Sequence, residues 1–231
     1  MDISNKNAQD EVRRVMDFLL ENRGRKIILG QHTQTMEQAE LSYIREVTGE
    51  LPALCGFELL AYSPNIRYRE CCEECLKEVY EAEHTLKKAW EWAKMGGLIT
   101  FTWHWFSPLF GRDKSFFTDN TDFSAELAAT SGTPEYHALL SDMDYMAGLL
   151  KPFCDAHIPI LWRPFHENEG HWFWWGNCKK DVVKKLYRLM YDRYVNHFKL
   201  NNLIWVFNST NPECYPGDDI MDIITRYLYP E

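Results

Sequence analysis

The residues best suited to chemistry sit together in one segment, Trp162 to Gly176 (WRPFHENEGHWFWWG). An apolar run, Ile158–Glu167, ends in His166 and Glu167, and a loop follows with four consecutive aromatics, Trp172 to Trp175. Apolar rings disfavour the charged form of a carboxyl, so an acid beside them can stay protonated near neutrality. Such a group can hand a proton to a glycosidic oxygen, and flat rings stack on sugar faces. Glu167 is then the acid, while His166 and Arg163 orient the carboxyl and neutralise a partner. Alone, an Arg-x-x-x-Glu spacing would mean a buried ion pair, and a tryptophan run would mean packing. A strand end fixed by Pro164 and joined to this loop favours a site.

Six apolar, β-rich segments must position these groups: Lys26–His32, Leu51–Leu59, Gly97–Trp105, Ile158–Glu167, Asn202–Asn208 and a weaker Ile220–Thr225. Their apolar runs are continuous, as in parallel strands buried on both faces. Helical patterns separate them: an opening helix at Asn7–Glu21, then Thr35–Val47, Glu70–Lys94, Pro134–Phe153 and Asp181–Phe198. Thr133 is placed as an N-cap with Pro134 at the first helical position. Polar residues gather at the C-terminal strand ends: Gln31 and His32, Glu58, His104, then Arg163, His166 and Glu167, then Asn208. A doubly wound sheet would collect them at one switch point. Several successive strand ends point instead to a (β/α) barrel in one domain, residues 1–231.

Composition narrows the partners. A formal net charge of −9 disfavours nucleic acid, and no run of apolar residues is long enough to span a membrane. Seven cysteines at irregular spacing form no disulfide framework. Cys72 and Cys75 make a Cys-x-x-Cys without a second pair, which indicates reduced thiols more than a zinc knuckle. The polar stretch Met1–Arg14 lacks a signal core, so the chain as written is expected in the cytoplasm, with export requiring a preceding segment.

The Trp162–Gly176 segment resembles glycoside hydrolase family 26, the clan-A (β/α)8 barrels typified by endo-β-1,4-mannanases. Flanking matches extend the likeness: GQH on strand one, Gly56-Phe57-Glu58 on strand two, TWHW on strand three, LIWVFN on strand five, and Tyr215 to Asp219 (YPGDD). The resemblance implies a retaining hydrolase acting on β-mannan, without metal or cofactor, with Glu167 as general acid/base. It also implies that His166 and His104 contact substrate, that Trp172 lines the sugar site, and that Tyr229 supports the nucleophile. Trp105 and Trp175, with Arg163, complete the expected sugar-binding set. Thr225, Arg226 and Tyr227 depart from the family's Gly-x-Asp pattern.

Retaining glycosidases need a second carboxylate roughly 5–5.5 Å from the first. The family's nucleophile lies at the end of strand seven, whereas only six strands are legible by about residue 225, against the eight of a closed barrel. The expectation is an incomplete barrel lacking strands seven and eight. Glu58 and Glu169 are poor substitutes, since neither matches the nucleophile. The alternatives are an inactive truncated remnant or a non-catalytic carbohydrate-binding barrel. A metal-dependent hydrolase built on His32, His104, His166 and Glu167 is disfavoured, because separate histidines also bind sugars. Open edges are expected to promote self-association.

Overall fold

The computed structural model describes residues 3–33 and 37–228. Its six strands are β1 (Gly30–Thr33), β2 (Leu54–Glu58), β3 (Leu98–Thr102), β4 (Ile160–Trp162), β5 (Leu203–Asn208) and β6 (Ile223–Thr225). They form one sheet in chain order, each pair parallel. The helices are α1 (Asp10–Asn22), α2 (Ala39–Thr48), α3 (Glu73–Ala82), α4 (Thr85–Lys94), a one-turn α5 (Ala125–Ala128), α6 (Pro134–Asp155) and α7 (Lys180–Tyr191). Sequential parallel strands with intervening helices make an incomplete (β/α) barrel.

Side chains alternate across the strands, and in the central strands β4 and β5 both faces find apolar partners, which explains their unbroken apolar runs. On the outer face, Ile99, Phe101, Trp162, Trp205 and Phe207 join one core with residues of α3, α4, α6 and α7. On the inner face, Leu161, Ile204 and Val206 pack against Val12 and Met16 of α1. The opening helix therefore covers part of the face that an incomplete barrel would otherwise expose. Backbone anchors hold it there. Asp222 accepts the Ser4 N–H at 2.7 Å through Oδ1 and the Trp205 N–H at 2.7 Å through Oδ2, and Gln9 N–H donates to the Asn201 carbonyl at 2.9 Å.

Several boundaries differ from expectation. The single helix expected over Glu70–Lys94 is two, α3 and α4. Tyr62 separates them: its hydroxyl donates to the Glu83 carbonyl at 2.6 Å and accepts the Leu86 N–H at 3.3 Å. Those two backbone groups turn to a side chain brought in by the fold. The fourth strand stops at Trp162 rather than Glu167 because Phe165 and Glu167 take left-handed backbone, φ 49° and 54°. Helix α7 passes into a π-helical turn at Asp192–His197. Thr133 caps α6 as expected, accepting the Tyr136 N–H at 3.1 Å. The β3–α5 loop is folded on itself and against the tryptophan loop through bridges Gly111–Thr121 and Phe117–Phe173.

Candidate active site

Glu167 lies just past the C-terminal end of β4, on left-handed backbone that a residue with a Cβ adopts only at some energetic cost. Neighbouring groups hold it there. Its N–H donates to Asn208 Oδ1, at the end of β5, at 3.2 Å. Asn208 is fixed in turn by its Nδ2, which donates to Thr225 Oγ1 of β6 at 3.1 Å. Asn168 Nδ2 donates to the Phe165 carbonyl at 2.9 Å and to the Asn208 carbonyl at 3.3 Å, tying the turn to β5.

Trp172 gives the carboxyl its clearest partner. The indole Nε1–H donates to Glu167 Oε2 at 3.0 Å, and the ring is about half exposed. The indole lies so close over Gly170 that a Cβ there would meet it at 2.1 Å, so only glycine fits beneath this ring. The other tryptophans of the expected sugar-binding set are corrected by burial. Trp105 and Trp175 are 2% and 1% exposed and offer no face to a sugar. Trp175 Nε1–H donates to the His166 carbonyl and Trp174 Nε1–H to the Trp105 carbonyl, both at 2.8 Å. Trp105 Nε1–H donates to buried Asp142 at 2.8 Å. These rings build the platform on which the loop rests.

Behind Glu167 stands a chain of titratable groups from three strand ends. Glu58 Oε2 lies 2.8 Å from His104 Nδ1 and accepts the Thr102 hydroxyl at 2.8 Å, while Oε1 accepts the His104 N–H at 2.7 Å. His104 Nε2 lies 3.3 Å from His166 Nε2. Burial pushes the Glu58 carboxyl upward, but the His104 charge and its hydrogen bonds outweigh that and hold it well below the usual range. Burial pushes His104 down, yet the Glu58 charge and hydrogen bond lift it above its ordinary value. Burial and the adjacent His104 push His166 well below its own. The opposite directions of these shifts favour the proton between the two rings residing on His104 rather than on His166.

The Arg163 guanidinium lies 5.3 Å from the Tyr227 ring centroid, and Arg163 Nε is buried without a hydrogen-bond partner among the described residues. His32, at the end of β1, packs over Gly56, and burial pushes its imidazole down. Tyr229 lies outside the described residues. His32, His104, His166 and Glu167 do not converge as a three-ligand metal set among the described residues.

A hollow of about 200 Å³ opens beside His104, lined by Glu58, Glu78, Lys114, Phe116 and Phe117 among others. Lys114 Nζ bridges Glu78 at 2.9 Å and Glu74 at 3.1 Å. The β3–α5 loop that supplies Lys114, Phe116 and Phe117 has no periodicity, so sequence reasoning missed these residues. It also missed Glu58 as the partner of His104, although both stand at strand ends. A larger groove of about 740 Å³ lies at the opposite rim against α1, lined by Phe18, Leu51, Trp92, Met95 and Ile158 among others. It is apolar and distant from the convergent polar groups, so the chemistry belongs to the C-terminal rim.

The mannan endo-1,4-beta-mannosidase of Thermothelomyces thermophilus is 39% identical over 99% of this chain and 46% of its own length. Mannan endo-1,4-beta-mannosidase B of Piromyces sp. is 34% identical over 97% of this chain and 38% of its own. The chain thus spans under half the length of these curated relatives. The GH26-CBM35 β-(1,4)-mannanase of Podospora anserina superposes with a TM-score of 0.88 at 34% identity, covering all of this chain and 50% of that one. A β-mannanase from a symbiotic protist of the termite Reticulitermes speratus, complexed with gluco-manno-oligosaccharide, gives 0.86 at 30% identity over 100% and 72%. The family model for glycosyl hydrolase family 26 matches residues 4–231, and the chain belongs to that family.

Proposed function

We propose that this chain carries the acid/base side of a retaining glycosidase site that cleaves β-1,4-mannosidic bonds in mannan-type polysaccharides or oligosaccharides. The observation that carries this reading is the Glu167 carboxyl at the strand-end rim, with Trp172 Nε1–H 3.0 Å from Oε2 and an exposed indole face alongside. Glu167 protonates the interglycosidic oxygen as the bond breaks, then as carboxylate takes a proton from the water that releases the glycosyl-enzyme. The Trp172 N–H steadies the carboxylate between those steps, because hydrogen bonds to charged acceptors are stronger than neutral ones. His104, held by Glu58, presents its ring to the hollow.

Attack on the anomeric carbon requires a second carboxylate. Glu58 does not suit that part, since both its oxygens are engaged by His104 and Thr102. The attack then falls to a carboxylate outside the described residues. Curated relatives named as mannan endo-1,4-beta-mannosidases support the substrate class.

The test measures reducing-end release from galactomannan and manno-oligosaccharides, alongside calorimetric binding. Glu167→Gln should lower turnover by about 10²–10⁴-fold while leaving binding. Binding without products from the parent chain would select the non-catalytic reading, and neither binding nor products would overturn both. We also propose self-association through the open sheet edges, where Leu29 and Ile224 are exposed. Sedimentation showing only monomer at all concentrations would refute it.

A further inference from the structure

We propose that Cys71, Cys75 and Asp113 form a binding site for a single thiophilic divalent cation of the zinc type, which clips α3 to the β3–α5 loop. The two Sγ atoms and an Asp113 carboxylate oxygen lie within 4.8 Å of one another. Two sulfurs on a tetrahedral zinc at ~2.3 Å stand about 3.8 Å apart, so small side-chain rotations close the site. Three protein donors with a water in the fourth position is an ordinary zinc arrangement.

Local geometry selects these donors over the Cys-x-x-Cys pair. Cys72 is the N-cap of α3, and its Sγ accepts the Cys75 N–H at 3.4 Å. The spacing that suggests a zinc knuckle in the sequence therefore joins the wrong thiols. Asp113 has left-handed backbone, φ 46°, and its Oδ1 accepts the Cys72 N–H at 2.8 Å. That bond fixes the carboxylate over the helix start, and the Asp113 carbonyl lies 4.0 Å from Cys71 Sγ. Cys75 is buried, whereas Cys71 is half-buried and gives an ion a way in.

A bound cation would have to displace the protons of both thiols. Burial raises both thiols first, and the Asp113 carboxylate adds to the rise. Two thiols and a carboxylate gathered at one point repel one another when ionised, and a divalent cation between them reverses that. The neighbouring ammonium of Lys114 is shared among Glu74, Glu78 and the Asp113 carboxylate, so it offsets only part of the negative charge. Because Lys114, Phe116 and Phe117 lie within four residues of Asp113, the ion would also set the wall of the hollow beside His104.

The test is titration of the reduced, chelator-treated full chain with cobalt(II), followed by displacement with zinc. The expected result is a thiolate-to-cobalt charge-transfer band saturating at one equivalent, and a higher unfolding temperature with zinc. Cys71→Ser and Asp113→Asn should each weaken binding at least tenfold, while Cys72→Ser should leave it within about threefold. Near-ultraviolet circular dichroism on each variant separates lost binding from lost folding. A folded parent chain with no charge-transfer band would overturn the proposal, as would equal loss in Cys72→Ser and Cys71→Ser.

Discussion

Replacing Asp142 by asparagine should remove a pH-dependent weakness from the fold. Burial raises the Asp142 carboxyl from 3.8 to about 6, against the opposing hydrogen bonds from Trp105 and Asn65. The folded protein therefore holds this proton about two units more tightly than the unfolded chain. Below about pH 4 the carboxyl is protonated in both states and contributes no difference. As pH rises from about 4 to about 6, the unfolded chain releases the proton first, so folded stability falls, and above about 6 the loss is complete. At 1.36 kcal/mol per unit, two units amount to about 3 kcal/mol. Asp142 is 4% exposed, so solvent screens little of this. An asparagine keeps a carbonyl for the Trp105 and Asn65 N–H groups but carries no charge. Urea unfolding followed by tryptophan fluorescence, in steps from about pH 4 to about pH 8, should show the variant gaining about 3 kcal/mol on the parent across that range. A difference that stays constant with pH would refute the burial reasoning, whatever its absolute size.

Two further outcomes follow from the site. Trp172→Phe keeps an aromatic face but loses the N–H to Glu167 Oε2; one hydrogen bond to a charged group at an exposed position predicts a loss of about tenfold in kcat/KM with little change in substrate binding. Equal activity would show that the bond carries no weight in the reaction. Glu58→Gln should lower the titration midpoint of His104, followed by proton NMR, because the carboxylate that lifts it is gone. In the parent chain His104 should titrate above its ordinary value and His166 well below. Since the folded pKa of His104 is raised, its stabilisation is complete below about pH 6.5 and is lost as pH climbs through the folded value. A His104 midpoint unmoved by Glu58→Gln would refute the pairing.

The strands were legible because burial on both faces leaves an unbroken apolar signature in β4 and β5. Their limits were not, since backbone geometry decides them: the fourth apolar run continues to Glu167, yet the chain turns at Phe165 and Glu167. The break between α3 and α4 comes from the hydroxyl of Tyr62, 21 residues before Glu83, and a helical period cannot register it. Glu167 and Trp172 emerged from the motif and stand together in the structure. Trp105 and Trp175 have the same composition signal but lie underneath, because a count of aromatic rings does not say which of them face water. The position of α1 on the inner face was likewise hidden, since amphipathicity shows that a helix buries a stripe and not which surface receives it.

Left-handed backbone at Glu167 sets thermal robustness against chemistry at a single position. Glycine or asparagine would sit more comfortably at φ 54° than a glutamate does. A lineage selected only to stay folded would gain by exchanging this residue, whereas selection for proton transfer keeps it. Persistence of an acid on unfavourable backbone in natural variants of this chain would thus be a sign of continued use, legible without any assay.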